Sequence, residues 1–496
     1  MFHKKINEYQ SSLYGINFYQ SYGNEFKKAE KLLNNYLKFK NANYLKESWE
    51  IYQAIFCNIK EKYKDFKNIS LEYISPKLLN LRNSNIQIPI REDKIFSENM
   101  ETILTQLKKT ENKLTSFEHD IRIKKINKNI IIIKDKGNPR KIMMTGTNEK
   151  EYSFELKLLW TNSNDILVRQ LLVFYNILLA RDKDNISKNY YIPLGSIYIH
   201  IKKSILSSYL ECYDSLYELI KNKRISSNLN VDIENKKLSE IYPNYTSGNF
   251  LSKVEIFKEI LKEKDGTELK QIIFEKSFDS KDWFYKRANY SRTLAVMSII
   301  GYILGLGDRN LNNILMNNEN CKIIHKNFDS CFEIANKRNK FPEKVPFRLT
   351  RTLIKALDIV GVDGIFRVTS EKIMDISRNN KYLISTILSS FVFEPFIFAQ
   401  FIVQKTNNNN EIITNGKLLD MKNKQKINFE LYNDEFDYNE LKKIKESIIM
   451  RINDKLTGTD FGIDVLDIED QVTKLIKQAN SDENIIRSYF NSSPFW

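Results

Sequence analysis

The stretch Gly301-Tyr302-Ile303-Leu304-Gly305-Leu306-Gly307-Asp308-Arg309-Asn310-Leu311-Asn312-Asn313-Ile314-Leu315, with Asn327-Phe328-Asp329 beyond it, governs how the whole chain is read. An apolar helix running into Asp-Arg-x-x-x-Asn puts one carboxylate, Asp308, near a hydroxyl substrate. It also puts an amide oxygen, Asn313, where a metal can meet it. A nearby Asp-Phe-Gly normally supplies the anionic metal ligand, and Asn327-Phe328-Asp329 stands in its place. The arrangement is that of phosphoryl transfer.

Upstream, residues 129–133, 141–144 and 152–156 are β-branched, apolar or alternating, as strands are. The last two flank the turn Gly146-Thr147-Asn148-Glu149-Lys150. Residues 165–179 have a helical pattern, with Asn164 or Asp165 as N-cap. Apolar spacing predicts amphipathic helices over 24–38 and 42–63, joined at Lys40-Asn41. Beyond residue 211 it predicts helices over 212–222, 250–263, 288–304, 369–379, 382–392, 438–456, 468–479 and 482–490. The polar segment 405–437, with Asn407-Asn408-Asn409-Asn410, reads as a flexible loop. A β-rich part followed by a larger helical part predicts two lobes and a cleft between them.

Composition narrows the function. The chain has 496 residues, 77 Lys plus Arg, 62 Asp plus Glu and a formal charge of +15. Its lysines are scattered among Asn, Ile and Tyr, so the charge predicts a solvated surface and no specific nucleic-acid site. At 42% hydrophobic residues, wholesale disorder is excluded. Four cysteines without a CxxC exclude a disulfide scaffold and a zinc module, and fit a reducing compartment. The longest apolar stretch, Tyr382 to Val403, holds Glu394-Pro395 and predicts a buried, broken helix rather than a membrane span. No secretory leader is expected behind Met1-Phe2-His3-Lys4-Lys5.

The Gly301–Leu315 segment resembles the catalytic loop of the phosphatidylinositol-3-kinase-related protein kinases. Further stretches resemble the target-of-rapamycin (TOR) branch of that family. They are Trp283-Phe284 with Arg287 and Asn289-Tyr290, Leu294-Ala295-Val296-Met297-Ser298, and the activation-segment-like Phe341–Arg351. Asp454-Lys455-Leu456-Thr457-Gly458, Leu475-Ile476-Lys477-Gln478-Ala479 and Pro494-Phe495-Trp496 resemble the C-terminal FATC element. Trp49-Glu50-Ile51-Tyr52 and Tyr73–Leu79 resemble the rapamycin-binding (FRB) helices and the segment immediately C-terminal to them. The resemblance implies an α+β, bilobal protein/lipid-kinase-like fold with a β-rich N-lobe and a helical C-lobe. Its parts would be an FRB-like module lacking its first helix (1–64), the N-lobe (65–210), the C-lobe (211–405), a flexible loop (406–437), and a C-terminal helix with FATC (438–496).

Residue by residue, the resemblance implies an ATP and Mg²⁺ site. Lys157 takes the place of the phosphate-binding lysine and Asp165 of its orienting carboxylate. Gly146 and Thr147 form the nucleotide-covering turn, and Tyr209-Leu210 the adenine-binding hinge. Asp308 and Arg309 belong to the catalytic loop, and Asn313 is a metal ligand. Two departures cut against the chemistry. Asn310 replaces the family's histidine, and Asn327 replaces the metal-binding aspartate. A neutral amide brings Mg²⁺ no charge, and the two losses together imply activity about 10⁴-fold or more below an intact site. Asp329, two residues on, would reach the metal if the segment were extended.

Four functions are compatible with these residues. The favoured one is a TOR-type Ser/Thr kinase relative in growth and nutrient signalling, catalytically impaired and acting through partners. The others are an active Ser/Thr protein kinase with a rearranged metal site, a phosphoinositide kinase, and a nucleic-acid or anionic-lipid binder. The implied partners are a protein substrate, if the chain is active, and a WD-repeat β-propeller docked on residues 225–285, including Val254-Glu255-Ile256-Phe257. Peripheral membrane contact through Phe490, Phe495 and Trp496 is the alternative to their packing on the large lobe. No tail disulfide can form beyond Cys331. Trp49 and Phe56 read as helix-packing residues and Gln53 replaces an aromatic, so a tight rapamycin-type ligand is not expected. The implied location is the cytoplasm, at the periphery of internal membranes or free, with the nucleus open as well.

Overall fold

A computed structural model describes residues 13–62, 66–82, 84–88, 121–133, 139–158, 163–182, 190–195, 198–201, 204–210, 212–242, 249–263, 265–337, 342–357, 359–392, 438–462, 464–487 and 494–496. The expected 405–437 loop, Glu394-Pro395, Phe341 and Phe490 lie outside the described residues. The chain divides into two units, residues 1–161 with 196–211, and residues 162–195 with 212–496.

The first unit opens with helices α1 (Leu13–Phe39) and α2 (Ala42–Lys62). Lys40 turns the chain between them at φ 55°. Phe18, Phe26 and Ile55 form a small core between the helices, and the Ser48 hydroxyl donates to Ala29 O at 2.9 Å. Trp49 and Phe56, expected to pack between helices, are 63% and 60% exposed and lie outside that core, although the Trp49 ring meets Tyr52 edge-on at 5.9 Å. Two helices can cover only one face of each other, and Trp49 and Phe56 fall on the uncovered side.

A seven-stranded antiparallel sheet comes next, in the order β1-β3-β4-β5-β7-β6, with β2 also pairing β4. The strands are β1 Asn68–Ser70, β2 Ile123–Ile126, β3 Asn129–Ile132, β4 Arg140–Gly146, β5 Glu151–Leu158, β6 Tyr198–Ile201 and β7 Ser204–Ser208. The two-residue period sorts the faces. Ile142, Met144, Phe154 and Leu206 enter a core with Ile123, Ile126 and Ile130. Lys141, Ser153, Glu155 and Lys157, one step out of phase, take the other face.

In the second unit α3 (Ser163–Arg181) lends Leu171, Tyr175 and Leu179 to a large apolar core. The sequence places this helix within the 65–210 lobe, and its apolar face packs in the core of the second unit. Asn176 fixes the strandless segment behind it through both bonds of its amide to Ile192, each 2.9 Å. The central element is α8 (Ser280–Leu304), buried on nearly all sides. The Asp279 carboxylate caps its start, accepting from Asp282 N at 2.7 Å. Gly305 at φ 64° ends it, and Leu306 N donates back to Gly301 O at 2.8 Å. A Cβ at Gly305 would come within 2.7 Å of Glu333 N, so only glycine fits this reversal.

A three-stranded sheet of β8 (Tyr213–Ser215), β9 (Ile314–Asn317) and β10 (Ile323–His325) lies against α8. Because Tyr213–Ser215 pairs with β9, the helix expected over 212–222 begins only at Leu216, as α4 (Leu216–Ser226). Helices α5 (Ile233–Ile241), α6 (Phe250–Leu261), α7 (Glu268–Glu275), α9 (Arg367–Asn379), α10 (Lys381–Val392), α11 (Tyr438–Thr457) and α12 (Ile468–Ala479) complete the unit. The last expected helix is described only as a short turn, Asp482–Ile485.

Phe495 and Trp496 are 2% and 3% exposed. Trp496 stacks on Tyr217 at 5.4 Å, under the Arg224 guanidinium at 4.5 Å, and Phe495 stacks on Phe257 at 5.1 Å. These two rings are thus consumed by packing. Cys57 and Cys212 are exposed, whereas Cys321 and Cys331 are buried. No helix among the described residues is long and apolar enough to cross a membrane.

Candidate active site

The end of α8 feeds directly into the loop that carries Asp308. Gly307 N donates to Ser330 O at 2.8 Å. A Cβ at Gly307 would lie 2.3 Å from the Ala335 side chain, so the loop and the 327–335 segment press together where only a glycine allows it. Asp308 itself has φ 56°. Its N–H donates to Glu343 Oε2 at 2.9 Å, and its carbonyl accepts from Asn313 Nδ2 at 3.0 Å. Ser330 Oγ donates to Asp308 Oδ2 and holds the carboxylate in place.

Arg309 is buried and acts as a clasp. Its Nε donates to Gly307 O at 3.0 Å, Nη1 to Lys326 O at 3.0 Å, and Nη2 to Asn327 O. Burial lowers its pKa, which nearby Cys331 and carboxylates oppose. One cation therefore ties the catalytic-type loop to the segment that holds Asn327.

Asn310 is spent locally: its Oδ1 accepts from Asn313 N at 3.0 Å, an Asx-type turn. Asn313 uses its amide N–H₂ on Asp308 O, which leaves Oδ1 as its acceptor. Asn327 has φ 60°, a left-handed conformation that asparagine tolerates. That geometry removes the premise of the Asp329 rescue, since residues i and i+2 share a side only in extended backbone. Asp329 is half-buried, and its carbonyl receives Asn164 Nδ2 at 3.5 Å.

Asn164 and Asp165 do not cap α3. The helix begins at Ser163, and both side chains reach the 327–329 segment instead. Asp165 Oδ1 accepts from Phe328 N at 2.8 Å, and Asn164 Nδ2 donates to Phe328 O at 3.2 Å. Phe328 is thereby gripped at both its backbone polar groups.

The sequence reading missed His325, at the end of β10. Both its ring nitrogens are buried without a hydrogen-bond partner among the described residues. Burial, and then the Arg309 guanidinium, hold its pKa well below the ordinary histidine value, so the ring is neutral. The available signal was a histidine closing an apolar strand two residues before Asn327. Ser330 and Glu343 were missed too, and only the folded contacts bring them to Asp308.

The donor set fits a metal poorly. Among the described residues no group of three or more His, Cys, Asp and Glu is placed to hold one. The two expected ligands, Asn313 and Asn327, are neutral amides, Asp165 Oδ1 is held by a backbone N–H, and Asp308 Oδ2 is held by Ser330. Mg²⁺ sites depend on carboxylates, and neither expected ligand position supplies one.

The remaining candidates sit in the first unit. Gly146 heads the β4–β5 turn, where a Cβ would lie 2.7 Å from Ile121 and from Asn148 Oδ1. Thr147 Oγ1 accepts from Arg122 N at 3.2 Å, a bond internal to the sheet. Lys157 Nζ pairs with Glu155 Oε2 at 2.7 Å. Tyr209 N donates to Ser153 O at 2.9 Å, and the Lys141 ammonium lies 4.0 Å from the Tyr209 ring centre. Leu210 is next in the chain, half-buried.

Comparison with known proteins agrees with this architecture. The profile of the phosphatidylinositol 3- and 4-kinase family matches residues 151–401, and that of the FKBP12-rapamycin binding domain matches residues 1–61. Serine/threonine-protein kinase TOR2 of Saccharomyces cerevisiae is 32% identical over 97% of this chain and 19% of its own length. Serine/threonine-protein kinase tor1 of Schizosaccharomyces pombe is 29% identical over 100% of the chain and 21% of its own length. Serine/threonine-protein kinase mTor of Drosophila melanogaster is 30% identical over 100% and 20%. The chain thus spans about one fifth of the length of these curated relatives. The FAT and kinase domain of CtTel1 superposes with a TM-score of 0.62 at 20% identity, over 88% of this chain and 27% of that one, a likeness of fold.

Proposed function

The chain belongs to the phosphatidylinositol 3- and 4-kinase family, is homologous to TOR-type Ser/Thr kinases, and from that premise we propose a TOR-type relative whose phosphoryl transfer is severely impaired and which acts through partners. The observation that carries the reading is Asn327, a neutral amide at the metal-binding aspartate position. It stands in a left-handed backbone whose carbonyl is clasped by Arg309. Asn310 adds to it: its amide closes the turn to Asn313, where a histidine would face the transferring phosphate.

In this reading Asp308 keeps the role of orienting a hydroxyl, with Ser330 and Asn313 fixing it. ATP and Mg²⁺ are the general needs of the family. This chain offers Lys157 toward phosphates and Asn313 toward a metal, without the anionic ligand that neutralises developing charge.

The partner would be a WD-repeat propeller on the helices within residues 225–285. Val254 and Phe257 of α6 are buried in the core, so the available face is Leu251, Glu255 and Lys258. The test is a phosphate-transfer assay on the purified chain with Mg-ATP and a peptide. We expect no turnover in the kinase range of about 1–100 s⁻¹. Rates within it would overturn the reading.

A further inference from the structure

The face of the first unit's sheet turned away from its apolar core brings Lys141, Glu155 and Lys157 together, with Glu151 and Lys125 further along it. Lys141 and Glu155 are cross-strand partners in β4 and β5, and Lys157 lies one two-residue step beyond Glu155. All three therefore point to the same side. Their charges are not shared evenly. The Lys141 ammonium goes to the Tyr209 ring at 4.0 Å, and the Lys157 ammonium goes to Glu155 at 2.7 Å. The Lys157 and Glu155 side chains are 26% and 18% exposed, so water screens this pair only in part.

Lys157 is the point charge that would meet phosphate oxygens. A carboxylate already in contact with it cancels that charge and repels any phosphate that approaches. We propose that Glu155 is a specificity-determining residue that turns the nucleotide site against ATP, so that it takes adenosine and its low-charge phosphates in preference to the triphosphate. This rests on the nucleotide-site reading under Proposed function and names its ligand class. The neutral ligand pays nothing for Glu155, and each added phosphate is repelled further.

Titration calorimetry of the full chain with adenosine, ADP and ATP at fixed ionic strength tests it. In the unmodified protein ATP binds no more tightly than adenosine. In Glu155→Gln, ATP tightens about tenfold while adenosine shifts less than twofold, as loss of one nearby like charge predicts. Glu155→Ala reproduces the shift, and Glu155→Gln with Lys157→Met loses it. Unchanged melting temperatures check that the variants fold. An ATP-to-adenosine ratio unaltered by Glu155→Gln, or weaker ATP binding, overturns the proposal and makes Glu155 the group that orients Lys157. Absence of binding by all three ligands to every variant overturns the nucleotide reading itself, and the proposal with it.

Discussion

Asn327→Asp is the most informative single change in the second unit. It restores a carboxylate with almost no change of shape, at a residue whose φ of 60° both side chains tolerate. Electrostatics then decides the outcome. Asp165 is fixed by its 2.8 Å bond to Phe328 N, Asp308 by Ser330, and Asp329 lies two residues on. At a separation of about 7 Å and an effective dielectric of about 20, each like-charge pair costs about 2 kcal/mol, and one opposing pair with Arg309 returns a similar amount. Three such repulsions less the Arg309 attraction leave a net penalty without metal of about 4 kcal/mol, a melting point lower by about 4–6 °C. Mg²⁺ bound with ATP at the restored carboxylate would offset that repulsion and recover the loss, because a ligand of the native state stabilises it. The assay is thermal unfolding in chelator and in Mg-ATP, followed by phosphate transfer. We expect the variant alone to be strongly Mg²⁺-responsive, with transfer raised about 10²-fold by the regained anionic ligand. A variant that melts like the parent in chelator and ignores Mg²⁺ would refute the reasoning, as would a parent already stabilised by Mg²⁺ to the same extent.

The same contacts set other outcomes. Arg309→Met strips three carbonyls of their donor and should cost about 3 kcal/mol or more in urea unfolding. Asp165→Asn weakens a charge-assisted bond to Phe328 N and should cost about 1–2 kcal/mol, with faster hydrogen exchange confined to the 327–331 segment. Arg224→Ala leaves Glu234 and Glu268 buried without their shared cation, and should cost about 3–5 kcal/mol with a red-shift of Trp496 emission. Burial raises the Glu333 pKa, but Lys455 and Arg451 outweigh it and hold the carboxyl below the usual glutamate range. Its contribution is thus complete above that range and lost as pH falls through the depressed value. Glu333→Gln should flatten that acid limb of a stability-against-pH curve while lowering stability at neutral pH.

The legible parts of the sequence were those where local chemistry and fold agree. Apolar spacing predicted α8, and Gly305 closes it by a left-handed turn that its neighbours enforce. The β4–β5 hairpin was readable because Gly146 to Lys150 is polar between two strand patterns. The illegible parts depend on distant partners. Tyr213–Ser215 has no strand signature of its own and is extended only because β9 pairs with it. Helices α5 and α7 are short and carry buried glutamates, Glu234 and Glu268, whose placement makes sense only beside Arg224. Asn164 and Asp165 look like caps because both can bond a backbone N–H. Which N–H they bond, that of Phe328 rather than their own helix, is set by folding. At the site, sequence identified Asp308, Asn310, Asn313 and Asn327 as a set. It could not reveal that Ser330 holds Asp308 or that Glu155 occupies Lys157.

The distribution of thiols has a practical consequence. Burial pushes the Cys321 thiol up to about 11, and the Cys331 thiol higher still, so neither reacts at neutral pH. Cys57, on α2 in the first unit, and Cys212, at the start of the small sheet in the second, are the exposed pair. The unmutated chain therefore accepts one fluorophore in each unit. Energy transfer between the two labels would be a native ruler for testing whether added nucleotide changes their separation.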